Sequence, residues 1–291
     1  MKPAPFAYHA PEQVDELLTL VGEGEGDTHV IAGGQSLVPM MNFRLAVPDA
    51  LVDLKRVEGI RYLRRDDHGH LAIGAGTPQS ALLREELVRE SWPILAEGAS
   101  YIGHPQVRSR GTVCGSLAHH DPTAELPTLA VALDARMVVA SSSGSREIPA
   151  DEFFLSHYTV ALEQGEVLLE VRFPPLPQPS GWSFMELARR RGDFALVGVA
   201  AVVEPDGEER VRSARLVLCG VGPKPQRVVA AEETVAGAAL TDSLLEEMSR
   251  VVSESVEPPD TLHASASYRR EAAGVLAARA LAKAWERCGR G

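Results

Sequence analysis

Apolar positions at Val14, Leu17 and Leu18 recur at helical spacing and predict a helix over residues 10–18. A Gly- and Asp-rich turn over 22–27 leads into the apolar run Thr28-His29-Val30-Ile31-Ala32, a short strand that Gly33 and Gly34 should stop. Ser36 stands where its hydroxyl would cap a following helix, and Pro39 falls in that helix's first turn. A second apolar strand over 50–54 closes a compact unit near Lys55. From Arg56 the pattern restarts with a strand over 71–76. Thr77 reads as a cap and Pro78 as the first helical position, predicting a helix over 79–89 and a second over 92–101. A helix follows from 121 to about 133, then strands over 137–140 and 146–148 across a serine-rich turn, then a strand over 167–173.

The stretch Pro174-Pro175-Leu176-Pro177-Gln178-Pro179-Ser180-Gly181 is the clearest linker in the chain and sets an expected boundary between residues 1–177 and 178–291. The first unit divides in turn at about residue 55. Beyond the linker, three strands (183–187, 195–203, 213–219) precede three helices (225–236, 242–253, 263–287). Strands followed by helices predict an α+β layer with an antiparallel three-stranded sheet.

Composition narrows the function classes. The 291 residues are 45% hydrophobic and 24% charged, as in an ordinary globular protein. A balance of 29 basic to 40 acidic residues, net −11, repels nucleic acid and anionic membrane, so neither is an expected partner. No apolar run is long enough to span a bilayer and the stretch Met1-Lys2-Pro3-Ala4-Pro5-Phe6 lacks a signal-peptide core, so a cytoplasmic location is expected. Cys114, Cys219 and Cys288 are far apart and lack metal-ligand spacing. They form neither a disulfide framework nor, by themselves, an iron–sulfur site.

Two stretches carry candidate chemistry. In Ala32-Gly33-Gly34-Gln35-Ser36-Leu37, a strand end, a glycine pair and a helix start gather backbone N–H groups around one small space. That arrangement suits a phosphate, and it also describes an ordinary strand-to-helix turn. The second stretch, Gly111-Thr112-Val113-Cys114-Gly115-Ser116, again packs small residues as if the backbone must approach something closely. Asp121 and Glu125 read as first-turn acids of a helix or as acceptors for a ribose. Arg108 and Arg110 read as phosphate counter-charges or as a solvated face, and His104 as a loop histidine. His119-His120-Asp121 resembles a metal-site fragment without an i, i+4 partner, so no metal site is assigned. Gly74-Ala75-Gly76 fails as a dinucleotide fingerprint because Gln79 holds the third glycine position, and no Gly-x-Ser-x-Gly elbow occurs.

Taken in order, Ala32 to Leu37, Ile102-Gly103-His104-Pro105-Gln106-Val107-Arg108, Gly111 to Ala118, Asp121-Pro122, Glu125-Leu126-Pro127 and Arg189-Arg190-Arg191-Gly192-Asp193-Phe194-Ala195 resemble the FAD-binding medium subunit of the molybdenum hydroxylases. That is the family of carbon monoxide dehydrogenase and xanthine dehydrogenase. The resemblance implies a two-subdomain FAD-binding domain of the vanillyl-alcohol-oxidase (PCMH-like) type, followed by a smaller α+β domain. It implies that Ala32, Gly33, Gly34, Gln35 and Ser36 hold the FAD pyrophosphate through backbone amides, with Leu37 also in contact with the cofactor. Gly111, Thr112, Cys114, Gly115 and Ser116 would form the second flavin-binding loop. Glu125 would lie near the adenosine ribose, and Leu168 and Ile102 would line the flavin.

The resemblance further implies electron transfer rather than substrate chemistry in this chain, with no catalytic residue. A large subunit would carry molybdopterin, and a small subunit would carry [2Fe-2S] clusters. The alternatives are a stand-alone FAD-dependent oxidoreductase and a scaffold subunit that has lost FAD. Two departures stand out. Cys114 replaces a common glycine, and Phe184-Met185-Glu186 stands where some relatives place a lysine that reaches the flavin. Phe184 is a candidate either for the flavin face or for the core.

Overall fold

The computed structural model describes residues 2–24 and 26–289. The first layer is a three-stranded parallel sheet of β1 (Ala7–His9), β2 (Thr28–Ile31) and β3 (Ala50–Asp53), in the order β1-β3-β2. Helices α1 (Val14–Gly22) and α2 (Leu37–Asn42) connect these strands. The hydrophobic pattern does not reveal β1, because all three of its residues are exposed. Its place comes from pairing, with Ala7, Tyr8 and His9 opposite Ala50, Leu51 and Val52.

The second layer is an antiparallel sheet of β4 (Leu63–Arg65), β5 (Leu71–Gly74), β6 (Arg136–Ser141), β7 (Gly144–Pro149) and, after a small hairpin, β10 (Val167–Phe173). Its order is β4-β5-β10-β6-β7. Between β5 and β6 run α3 (Ala81–Arg84), α4 (Glu86–Ser91), α5 (Pro93–Ala99), α6 (Pro105–Arg108), α7 (Val113–His119) and α8 (Glu125–Ala132). The expected single helix over 79–89 is two short ones, because Glu85 adopts an extended conformation (φ −69°, ψ 124°). Thr77 caps neither, since its hydroxyl donates to the Tyr62 carbonyl at 2.6 Å. Helix α9 (Ala150–Phe153) and the hairpin β8 (Phe154–Ser156) and β9 (Thr159–Val160) fill the gap before β10.

The third layer joins β11 (Gly181–Ala188), β12 (Ala195–Pro205), β13 (Val211–Cys219) and the two-residue β14 (Gln226–Arg227) in sequence order. The fourth strand is too short to leave a pattern in sequence. Helices α10 (Val229–Val235), α11 (Asp242–Ser255) and α12 (Ala266–Cys288) follow. Every residue of β12 from Ala195 to Val203 is buried, because the sheet is covered on both sides. Val197, Val199, Ala201 and Val203 pack into a core with α10 to α12. Ala200 and Val202, with Phe184 and Val217, belong to the core of the first 176 residues. Phe184 is therefore a core aromatic, 5.6 Å from the Tyr101 ring, and not a residue of the cavity described below.

Ion pairs fasten the two halves, one from Arg215 on β13 to Asp134 and a second at the end of α12. Arg287 near the end of α12 donates to both carboxylate oxygens of Glu97 on α5 (2.9 and 3.0 Å) and to the Trp182 carbonyl (2.7 Å), with its guanidinium 3.9 Å from the Trp182 ring centroid. Glu97 also accepts the Phe184 N–H at 2.9 Å. Such a bidentate, half-buried pair is stronger than an exposed one. Arg287→Ala is expected to cost about 1–3 kcal/mol, measured as a lower urea midpoint with an unchanged slope.

Candidate functional site

Residues from all three layers meet around one cavity of about 640 Å³, within the usual range for a small-molecule or cofactor site. Ala32 to Leu37, Gly111, Thr112, Cys114, Gly115 and Ser116, with Ile102, Glu125 and Leu168, line it, whereas Val113 is buried in the core.

Its floor is made where the first stretch meets the second. A Cβ on Gly33 would stand 2.3 Å from the Arg110 carbonyl oxygen and 2.6 Å from Gly111 Cα. Glycine at Gly33 is thus required by contact between the two backbones, a reason not visible in the sequence. Gly34 has φ +68°, a conformation that favours glycine. Gln35 pins the turn by donating from Nε2 to the Gly33 carbonyl at 3.0 Å.

The expected helix cap is corrected. Ser36 occupies the N-cap position of α2, but its side chain makes no capping bond. Because α2 is six residues long, little macrodipole develops. What remains is a row of free donors. Among the described residues, the amides of Gly34, Gln35, Ser36 and Leu37 have no hydrogen-bond acceptor. Unpaired amides facing a cavity fit an anion such as a diphosphate.

The second stretch is not a loop but the start of α7. Thr112 is its N-cap, and its hydroxyl accepts the Gly115 amide at 3.0 Å. Cys114 is buried and points inward, its thiol donating to the Ile73 carbonyl at 3.6 Å. Burial pushes that thiol well above its ordinary range, so it acts as a small apolar residue.

The walls are apolar. Leu168 is buried in β10 at a register shift between Leu168 and Glu170, opposite Val139 and Val138 of β6. Ile102, Ala118, Leu54 and Met40 add to the lining. Together they leave room for a flat, largely apolar group beside the amide row.

Polar groups cluster at the α7–α8 end. Asp121 is committed locally, since its Oδ1 accepts the Thr123 amide and hydroxyl at 2.8 and 2.6 Å. Glu125 has no such engagement with another side chain among the described residues, and burial pushes its carboxyl up to about 7. It is the freer acid of the two. His119 lines the cavity with its ring 5.1 Å from that of Tyr158, and burial holds it below the usual histidine range. His120 turns away into the core in a left-handed conformation and meets the Thr159 carbonyl at 3.2 Å. Among the described residues no three His, Cys, Asp or Glu side chains are grouped to hold a metal ion.

Arg108 does not line the cavity. It donates to the Ile102 and Gly103 carbonyls at 2.6 and 3.0 Å and braces that turn. Arg110 is exposed, and its contribution is the carbonyl packed on Gly33. His104 sits beneath Gly192, where a Cβ would meet its ring at 2.7 Å. Gly192, Asp193 and Phe194 complete the mouth from the third layer, with Phe194 75% exposed. Sequence reasoning treated this block as a family marker without a place in the site.

Comparison with known proteins matches residues 4–176 to the FAD binding domain in molybdopterin dehydrogenase and residues 182–284 to the CO dehydrogenase flavoprotein C-terminal domain. The 6-hydroxypseudooxynicotine dehydrogenase complex subunit alpha of Paenarthrobacter nicotinovorans is 39% identical over 99% of this chain and 97% of its own length. The carbon monoxide dehydrogenase medium chain of Hydrogenophaga pseudoflava is 37% identical over 99% of this chain and all of its own. A solved structure of carbon monoxide dehydrogenase from Hydrogenophaga pseudoflava superposes with a TM-score of 0.95 at 38% identity, covering 99% of this chain and 100% of that one.

The contact at Gly33 has a direct test. Gly33→Ala is expected to destabilise the ligand-free chain by about 1–3 kcal/mol by forcing the two backbones apart. Thermal unfolding without ligand measures it, with Ser36→Ala as the comparison that should change little because its hydroxyl caps nothing.

Proposed function

Since the chain belongs to the family of FAD-binding medium subunits of molybdenum hydroxylases, and is thus a subunit of an oxidoreductase, we propose that it serves its complex as the exit for electrons. Substrate oxidation would occur on a large molybdopterin subunit. A small subunit with [2Fe-2S] clusters would deliver the electrons to FAD held here, and an external acceptor would collect them. The observation that carries this reading is the row of unpaired amides from Gly34 to Leu37 opening into an apolar cavity that Leu168 and Ile102 line.

The amides of Gly34, Gln35, Ser36 and Leu37 would donate to the pyrophosphate oxygens. Among the described residues no lysine or arginine side chain lines the cavity, so the backbone itself supplies the positive end of these dipoles. Leu168 and Ile102 would hold the isoalloxazine by apolar contact and exclude water from it. Glu125 would accept a hydroxyl of the ribose. Bound FAD supplies chemistry that takes electrons singly and releases them in pairs, while the protein sets its place and surroundings. Phe194 and Asp193 stand at the mouth, where an acceptor would approach.

Titration of the chain with FAD, followed by flavin fluorescence quenching, tests the reading. FAD is expected to bind at least about tenfold more tightly than FMN, a difference of about 1.4 kcal/mol for the adenosine half. Equal affinity, or binding of neither, would overturn the assignment of the cavity. The chain alone is expected to hydroxylate no substrate of the assembled complex, and turnover by it would overturn the subunit role.

A further inference from the structure

Glu186 does not line the cavity, yet it feels the charge of Glu125, which does. In the third-layer sheet, Glu186 pairs with Gly198, and Gly198 pairs with Cys219. Directly paired residues on neighbouring strands share a face, so Glu186 and Cys219 rise from the same side with no side chain between them. A Cβ on Gly198 would stand 2.6 Å from Cys219 Sγ and 3.4 Å from Phe184 Cζ. That side packs on the first core, and α8 lies over it. Thr128 of α8 reaches the Cys219 thiol. Glu125, three residues earlier, is on the same helix face. It is also in the cavity wall. The Oε2 atom of Glu186 is buried and has no hydrogen-bond partner among the described residues.

We propose that Glu186 and Glu125 form a proton-holding pair at the back wall of the cavity, and that filling the cavity with FAD draws a proton from solvent onto this pair. The inference rests on the FAD reading given above. Two carboxyl groups in one poorly solvated place do not both ionise cheaply. Burial pushes Glu125 up to about 7 and Glu186 up to about 8, and the charge of Glu125 adds to the rise at Glu186. Asp121 pushes Glu125 in the same direction and Arg108 opposes it. On the other elements packed here, Tyr101 and Cys219 feel Glu186 and are themselves held neutral by burial. Glu97, Arg191 and Arg287 act on Tyr101.

The sign follows from what FAD brings. Its diphosphate adds negative charge, and its body displaces water from Glu125, so both effects favour the protonated pair. A neutral carboxyl still offers an acceptor oxygen to a ribose hydroxyl. Groups whose pKa rises on binding give full affinity below the free-state value, and that affinity falls as pH rises through the bound-state value. FAD has no group of its own that titrates near neutrality, and burial keeps His119 neutral there.

The test is the FAD dissociation constant of the full chain from about pH 6.5 to about pH 8.5, where one linked proton permits a change of up to tenfold per pH unit. Wild type is expected to weaken by about tenfold over that range, with proton uptake seen by an indicator dye in weak buffer. Glu186→Gln keeps the shape and removes one titrating group, and its dependence is expected to shrink to less than about threefold. A pH-independent wild type, or the same dependence in Glu186→Gln, would overturn the pairing while leaving FAD binding intact. Loss of FAD binding at every pH would instead overturn the FAD reading and this linkage together.

A ligand-free measurement separates the pair from the cofactor. A carboxyl whose folded pKa lies above its unfolded value costs stability as pH rises from the unfolded value through the folded one. Glu186→Gln is therefore expected to raise the melting temperature more at about pH 8.5 than at about pH 5. An equal shift at both would mean the pair holds no proton.

Discussion

The backbone of Gly33 lies against the backbone of Arg110 and Gly111 with no room for even a methyl group between them. This contact joins the end of a parallel strand in the first layer to the approach of α7 in the second, and it closes the floor of the cavity. Just beyond Gly33, the amides of Gly34 to Leu37, in residues that line the cavity, have no hydrogen-bond acceptor among the described residues. Gln35 fastens the turn from within. The apolar walls then come from elements whose positions are already set, chiefly β10 with Leu168 and the turn at Ile102. Site and scaffold are thus fixed by one steric fact.

Much of this was legible in the chain. The glycine pair after an apolar run, the small residues at 111–116 and the proline-rich stretch at 174–181 all mark places where the backbone does something specific. The strand over 195–203 was legible too, while its burial on both faces came only with the structure. Other features depended on distant partners. β1 has no apolar face of its own and is defined only by pairing with β3. Thr77 looked like a cap until the Tyr62 carbonyl claimed its hydroxyl. Ser36 looked like one too, in a turn whose geometry leaves its hydroxyl unused. Phe184 was ambiguous because a core aromatic and a ligand-stacking one share the same sequence signal.

The acidic residues divide in a similar way. Asp121 spends both oxygens nearby, on Thr123 and Tyr158. Glu170 takes the Tyr62 hydroxyl and the Arg172 guanidinium behind β5. Glu97 is consumed by Arg287 and the Phe184 amide. Glu125 lacks such a partner, and among the described residues Glu186 holds the one buried carboxylate oxygen with no hydrogen bond. Spacing along the chain does not distinguish it, since the row that places Glu186 near Glu125 crosses three strands and a helix.

The sheet of β11 to β14 is a partition with a room on each side, and neither room has another wall there. Phe184, Ala200, Val202 and Val217 close the core of the first 176 residues, while the alternate residues close the core of the last hundred or so. The flexible-looking connection at 174–181 is therefore not a hinge between separable modules. A protease that cut it would leave two fragments still sharing one sheet face and the Arg287–Glu97 clasp. Neither fragment would have a finished interior alone, so each depends on the other to complete its core.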